Sequence, residues 1–572
     1  MTPMKHLTIS ILLCLIFHLH VISQEKEVLQ NAIGSSSNET ETSDLAITLS
    51  KKYLNLPISQ DVNREKMSFT IEGEPDLDFV IRLSSKPQYW TFYDISAYQG
   101  KVLHIKYEGN KEGLNNIYQD DKIAGQDTLY RENTRPQIHF TTKRGWINDP
   151  NGMIFYEGEY HLFYQHNPFE SEWENMSWGH AVSTDLIHWK ELPVALYPDS
   201  IGTIFSGTTV IDQNNTSGFG KAGIPPMVAI YTSHSADNER QSIAYSLDKG
   251  RTFKKYDGNP VIDSKEKWDS QHLRDPQVFW HTPTKKWVMA LFERDGISIY
   301  TSSNLKDWKY ESHTVGFWEC PQLFELPVDG NKKNMKWVMY GATGTYMIGK
   351  FDGATFTPEA GKYYYGNGEL YAAQTFYNIP AADGRRIQIG WGRIPQSGKS
   401  FNNLMLLPTQ LTLHTTKEGV RLFNTPVKEI EMLHENEHLF EGTDPNKASA
   451  FLQQFKNATS IRLKTTLKLF HATDAGIHLN GQTLFRYDMN ANLINGLFYS
   501  PEDRTSMEIN VDMIIDKTSI EVFVDDGKFS YAIRRDIDSN NKDGFGFFGD
   551  RIEVKNLKVY PMKSIWENYN PN

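Results

Sequence analysis

Gly145-Trp146-Ile147-Asn148-Asp149-Pro150-Asn151-Gly152 leads straight into the apolar run Met153-Ile154-Phe155-Tyr156. Taken alone the stretch is a turn, because Asn, Asp, Pro and Gly are the residues that tight turns demand. Its meaning changes once segments of the same build are found downstream. Phe205-Ser206-Gly207-Thr208, Arg274-Asp275-Pro276, Glu319-Cys320-Pro321 and Glu369-Leu370-Tyr371 also run into short apolar stretches. Each of the five is followed by a second apolar strand, first seen as Tyr160-His161-Leu162-Phe163-Tyr164 and last as Ile387-Gln388-Ile389-Gly390-Trp391. In the first four units a turn and an aromatic come next, as in Ser183-Thr184-Asp185 to Trp189. The units repeat at roughly 48 to 67 residues, at or a little above the length of a β-propeller blade. Five units predict a five-bladed propeller over residues 135–425, with the leading segment of each as its innermost strand.

Outward from this region the repeats stop. Residues 46–134 contain alternating runs such as Phe79-Val80-Ile81-Arg82-Leu83 and read as a small N-terminal β module. Residues 426–566 carry another all-β pattern, with strands such as Ser519-Ile520-Glu521-Val522-Phe523-Val524 and a hairpin signal at Asp525-Asp526-Gly527. This region reads as a C-terminal β-sandwich. Residues 25–45 are polar and serine-rich, as a flexible linker is. Lys5 followed by the apolar run from Leu7 to Phe17 is too short to span a membrane and reads as a signal peptide over residues 1–24, cleaved near Ser23 or Gln24. A secreted or periplasmic protein with no remaining transmembrane segment is expected; a retained anchor is the alternative.

Composition narrows the function classes. Among 572 residues, 59 Lys and Arg against 70 Asp and Glu give a net charge of −11, and no basic block breaks the balance. Nucleic acid is therefore not an expected partner, whereas a neutral ligand such as a sugar is. Loss of the signal would remove Cys14 and leave only Cys320, so no internal disulfide is expected. Sequons stand at Asn38, Asn175, Asn214, Asn215 and Asn457. No histidine or cysteine cluster has metal-ligand spacing, and no phosphate loop or nucleophile elbow occurs, so neither metal nor cofactor is expected. His161, His166 and His180 read as packing or polar-network residues.

In a propeller the equivalent ends of the innermost strands meet at one mouth. Asp149, Asp275 and Glu319 stand at such ends and should converge, each of the first two directly before a proline that favours extended geometry. Glu319 lies one residue further back, level with Arg274. Any one of these acids could simply cap a turn; three in equivalent positions point to a site. Crowded carboxylates raise the pKa of at least one member, and one ionised and one protonated acid are what glycoside hydrolysis needs. Arg274 is placed to keep its neighbour Asp275 ionised. Trp146, Trp173, Trp178, Phe205, Trp318 and Trp391 gather near the same strand ends, where rings could stack on sugars or serve as core.

The chain resembles glycoside hydrolase family 32, the fructan hydrolases and invertases. Trp146-Ile147-Asn148-Asp149-Pro150-Asn151-Gly152 is similar to the family's Trp-Met-Asn-Asp-Pro-Asn-Gly block, with Ile147 as a departure. Phe205-Ser206-Gly207-Thr208, Arg274-Asp275-Pro276 and Glu319-Cys320 match its further blocks in order. The resemblance implies Asp149 as nucleophile, Glu319 as acid/base and Asp275 as transition-state stabiliser. It also implies a fructose pocket lined by Asn148, Gln165, Trp173, Phe205, Ser206, Arg274 and Trp391, with Trp146 beside them as a further substrate-binding candidate. Glu369 stands where relatives often carry an aspartate. The family acts with retention, which would place the Asp149 and Glu319 carboxyl groups about 5–5.5 Å apart. The expected activity is cleavage of β-fructofuranosidic bonds in levan, inulin or sucrose. A catalytically inactive fructan-binding protein and a fructosyltransferase using the same site are the alternatives.

Overall fold

Alternation of apolar and polar residues builds short strands, and tight turns fold them into four-stranded units. A computed structural model describes residues 43–567 except 237, 264–271, 397, 471–472, 500–506, 538–539 and 541. The expected signal peptide and most of the expected linker lie outside the described residues. Ser43 and Asp44, assigned to the linker from sequence, already belong to a strand, Ser43–Thr48.

Five antiparallel units form the propeller. The first runs Gly145–Tyr156, Glu159–Asn167, Ser177–Ser183 and Lys190–Leu196. The inner strands of the others are Thr203–Ile211, Leu273–His281, Gln322–Val328 and Leu370–Thr375. The last strand pair of blade five, Thr409–Thr416 with Gly419–Pro426, touches blade four through a single parallel bridge, Val328 to Leu413. Closure also uses Phe401 and Asn402, which pair in parallel with Gly145 and Trp146. Near the axis, amide side chains tie blade to blade. Gln277 bonds both the NH and the carbonyl of Leu323, and Gln322 accepts from the NH and hydroxyl of Thr375.

The inner strands are not regular. In blade one, Asn148 and Asp149 together oppose the single residue Gln165. The same two-against-one mismatch falls at Phe205-Ser206, at Asp275-Pro276 and at Ala372-Ala373 in blades two, three and five. A β-bulge of this kind bends a strand and re-aims its side chains. Asp149 and Asp275 therefore sit within bulged strands rather than at their first residues, as the proline argument had placed them. Blade four lacks the bulge: its inner strand begins at Gln322, and Glu319 lies in the connection before it.

Two smaller β units, one before and one after the propeller in the chain, pack against it. The N-terminal module packs a four-stranded sheet and a three-stranded sheet around Leu54, Ile58, Phe69, Phe79 and Leu103, and Phe169 of the propeller enters this core. The C-terminal unit packs a seven-stranded against a five-stranded sheet around a core that includes Leu463, Ile477, Phe485, Val511 and Val522. Its Asp525-Asp526-Gly527 hairpin forms as read, with all three residues at positive φ. Among the described residues no helix is long and apolar enough to cross a membrane.

Candidate active site

The bulges and the blade-four connection bring Asp149, Asp275 and Glu319 to one place. Asp149 Oδ1 accepts from Asn148 Nδ2 at 3.1 Å, and Oδ2 accepts from Ser206 Oγ at 2.7 Å across the blade boundary. Trp146 Nε1 in turn donates to Asn148 Oδ1 at 2.8 Å, which orients that amide. Asp275 adopts a left-handed backbone (φ 63°), its NH donates to Thr232 Oγ1 at 3.0 Å, and its Oδ2 accepts from the Cys320 NH at 3.1 Å. Glu319 and Cys320 are consecutive left-handed residues at φ 48° and 42°. Such backbone costs on the order of 1–3 kcal/mol per residue and persists only where the surroundings impose it. Here it swings Glu319 onto Arg274 Nη2 at 2.6 Å and the Tyr371 hydroxyl at 2.7 Å.

Cys320 links the first two acids. Its Sγ stands 3.5 Å from Asp149 Oδ2 and 3.7 Å from Asp275 Oδ2. Burial, then the neighbouring carboxylates, push its thiol far above the usual range, so it remains a neutral donor. Burial is also the main cause that raises Asp149 above the ordinary 3.8; Glu319's charge adds to it, while the Ser206 and Asn148 hydrogen bonds hold it back. Asp275 is pushed well above 3.8 by burial and by the other two acids, against the pull of Arg274. Arg274 thus favours the ionised form of Asp275, as expected, while burial and the other acids oppose it. The guanidinium lies 3.9 Å from Asp275 but reaches past it to Glu319, and to Glu239 at 3.0 Å. Those carboxylates overcome the cost of burying the cation and keep Arg274 charged.

Aromatic rings form the rim. Trp146 meets Trp391 edge-on at 6.1 Å, Trp391 meets Tyr371 at 6.0 Å, and Trp391 Nε1 finds no acceptor among the described residues. Across the mouth, Phe205 stacks on His234 at 4.2 Å, and the exposed Trp173 stands edge-on to it at 6.2 Å. Gln165, opposite the first bulge, is buried and donates to the Ile204 carbonyl at 3.0 Å. Trp178 is core: fully buried, it fastens the Phe205 carbonyl through its Nε1 at 2.9 Å. Trp318 is exposed and lies beside Arg274, 5.7 Å from ring centre to guanidinium. Glu369 approaches Arg393 at 3.9 Å, and its NH pairs with Ala532 of the sandwich.

Tyr371, Glu239, Thr232 and Cys320 were not among the residues assigned to the site from sequence. Tyr371 is the second residue of the fifth inner strand, a position the repeat marks in the sequence. Glu239 and Thr232 lie on other strands of blade two, where nothing in the local sequence marks a partner for Arg274 or Asp275. His161 and His180 contact one another at 3.1 Å in the core of blade one, and His166 bonds the Trp146 carbonyl at 2.7 Å, a polar-network role. Burial lowers His166 to about 4, which keeps it neutral.

Residues 139–426 match the model of the glycosyl hydrolases family 32 N-terminal domain. A levanase of Bacillus subtilis is 40% identical over 497 residues, covering 77% of this chain and 72% of the relative. An extracellular exo-inulinase of Aspergillus niger is 36% identical over 482 residues, covering 70% and 89%. Among solved structures, exo-inulinase from Aspergillus awamori superposes with a TM-score of 0.64 at 28% identity, over 76% of this chain and all of that one. A β-fructofuranosidase from Schwanniomyces occidentalis complexed with fructosyl-erythritol gives 0.63 at 26% identity, over 75% and 98%. With the ordered motifs, the propeller and sandwich and the family match in agreement, the chain belongs to glycoside hydrolase family 32 and is a glycoside hydrolase.

Proposed function

We propose that the protein is a secreted, retaining β-fructosidase that cleaves β-fructofuranosidic bonds of fructans by double displacement. The observation that carries the reading is the meeting of three acids from three blades, joined through Cys320 and Arg274. In the first step Asp149 attacks the anomeric carbon while Glu319 delivers a proton to the leaving oxygen. The ester that forms on Asp149 is then opened by water, from which Glu319 recovers the proton. Asn148 and Ser206 aim the Asp149 carboxylate before attack. Asp275, fixed by the Cys320 NH on its Oδ2, holds fructose hydroxyls. Arg274 and Tyr371 hold the Glu319 carboxyl from two sides, which fixes where the proton is delivered. Trp146, Trp173, Phe205 and Trp391 supply apolar faces for sugar rings. The levanase and exo-inulinase relatives support fructan as the substrate class, and the exo-inulinases' extracellular description supports secretion.

Incubation with levan and with inulin tests this reading. Free fructose or fructo-oligosaccharides should appear, and NMR taken in the first turnovers should show the anomeric configuration of the substrate retained. Inverted first product, or polymer bound without any sugar released, would overturn it.

A further inference from the structure

The N-terminal module meets the propeller on the loop of residues 168–175, between the second and third strands of blade one. Glu170 on this loop is completely buried, yet it accepts from Arg64 Nε at 2.8 Å, Arg82 Nη1 at 3.0 Å and the Arg82 backbone NH at 2.7 Å. Two further acids of the loop reach the same arginines. Glu172 accepts from Arg82 at 2.7 Å and from Arg64 at 3.2 Å, and Glu174 lies 3.5 Å from Arg64. Asn175 pairs with both the NH and the carbonyl of Val80 at 2.9 Å, as a neighbouring strand would, so this sequon is occupied by the fold. Phe169 stacks face-to-face on Phe79 at 3.9 Å.

Within this run Glu170, Glu172 and Glu174 turn toward the module, while Trp173 between them stands 47% exposed at the rim of the funnel. Its neighbour there is Phe205, and the next residue, Ser206, bonds the Asp149 carboxylate. A buried carboxylate costs free energy unless it is paired and hydrogen-bonded, and here all of its ionic partners belong to the module. The loop's position is therefore set from outside the propeller.

We propose that the N-terminal module is a specificity element of the active site: Arg64 and Arg82 are positioning residues that hold Trp173 where it stacks on sugar units beyond the fructosyl residue being cleaved. The inference rests on the β-fructosidase reading of the funnel. It requires the module to act on substrate binding while leaving the acids untouched.

In the full-length protein, the Arg64→Ala/Arg82→Ala variant should raise KM for a fructo-oligosaccharide about tenfold with kcat changed less than threefold. Trp173→Ala alone should raise KM by a similar factor, and in the double-arginine background it should add nothing, since residues acting through one element are not additive. Arg64→Lys/Arg82→Lys should recover part of the loss. Glu172→Gln, at a partly exposed site, should give a smaller shift in the same direction and serves if the alanine variant does not fold. Unchanged KM with only a lower melting temperature, or effects of Trp173 and the arginines that multiply, would overturn the proposal. If the unaltered protein releases no sugar from any fructan, the β-fructosidase reading falls separately. Amide exchange over residues 168–175 then decides the module's role: faster exchange in the alanine variant supports the coupling and unchanged exchange refutes it.

Discussion

Asp149 is held between donors that favour its charge and surroundings that oppose it. Burial raises its pKa above 3.8, whereas Ser206 Oγ at 2.7 Å and Asn148 Nδ2 at 3.1 Å lower it. A nucleophile must be ionised, so activity should rise as pH climbs through this raised value and disappear below it. Ser206→Ala removes the strongest restraint. The acidic limb of the kcat/KM profile should move to higher pH, and kcat/KM should fall by about ten- to hundredfold, the worth of a hydrogen bond to a charged group. An unmoved limb would show that another group governs it. Glu319→Gln should affect natural fructans far more than a substrate whose leaving group needs no proton, because only the former depends on general acid help. Equal losses on both would take the acid role away from Glu319.

At the scale of elements, the bulged inner strands aim the site, and a buried clasp fixes the sandwich to the propeller. His139, just before blade one, bonds Asp516 through Nδ1 and Glu521 through Nε2, both at 2.8 Å. Burial disfavours its charge, yet the two carboxylates prevail and raise it from 6.5 to about 9. The stabilisation is complete below pH 6.5 and is lost as pH rises through about 9. Asp516 is lowered from 3.8 despite its burial, by His139 and backbone NH groups, so its share is present above pH 3.8 and lost below it. The melting temperature should therefore fall between pH 6.5 and 9, and His139→Gln should flatten that fall. An identical pH slope in the variant would remove the clasp from the account. Much of the architecture was legible: the five leading segments, from Asn148-Asp149-Pro150 to Glu369-Leu370-Tyr371, with their apolar followers, suffice to count blades. The bulges were not legible, since two residues facing one leave no pattern in a single strand. Nor was the His139 clasp, whose partners lie in a separate unit far along the chain.

In the whole molecule the propeller is held by both the module and the C-terminal segment. The module holds the loop at 168–175, and the C-terminal segment returns to latch residues 130–138. Trp566 stacks on Tyr130 at 3.9 Å and donates to the Pro136 carbonyl at 2.8 Å, and the NH of the preceding Ile565 donates to the Gln137 carbonyl. Trp566→Ala should cost about 3 kcal/mol of stability, as large aromatic deletions do, with kcat unchanged at temperatures where the protein is folded. Denaturant or thermal unfolding beside a rate assay checks both parts. The central claim is that this scaffold exists to bring acids from distant blades onto one sugar, with Asp149 as nucleophile. Asp149→Asn tests it most directly, because asparagine fits the same bulge and removes only the charge. Turnover of levan should fall at least about a thousandfold while the melting temperature stays within a few degrees. A variant that keeps more than about one percent of the rate, with its fold intact, would contradict the assignment.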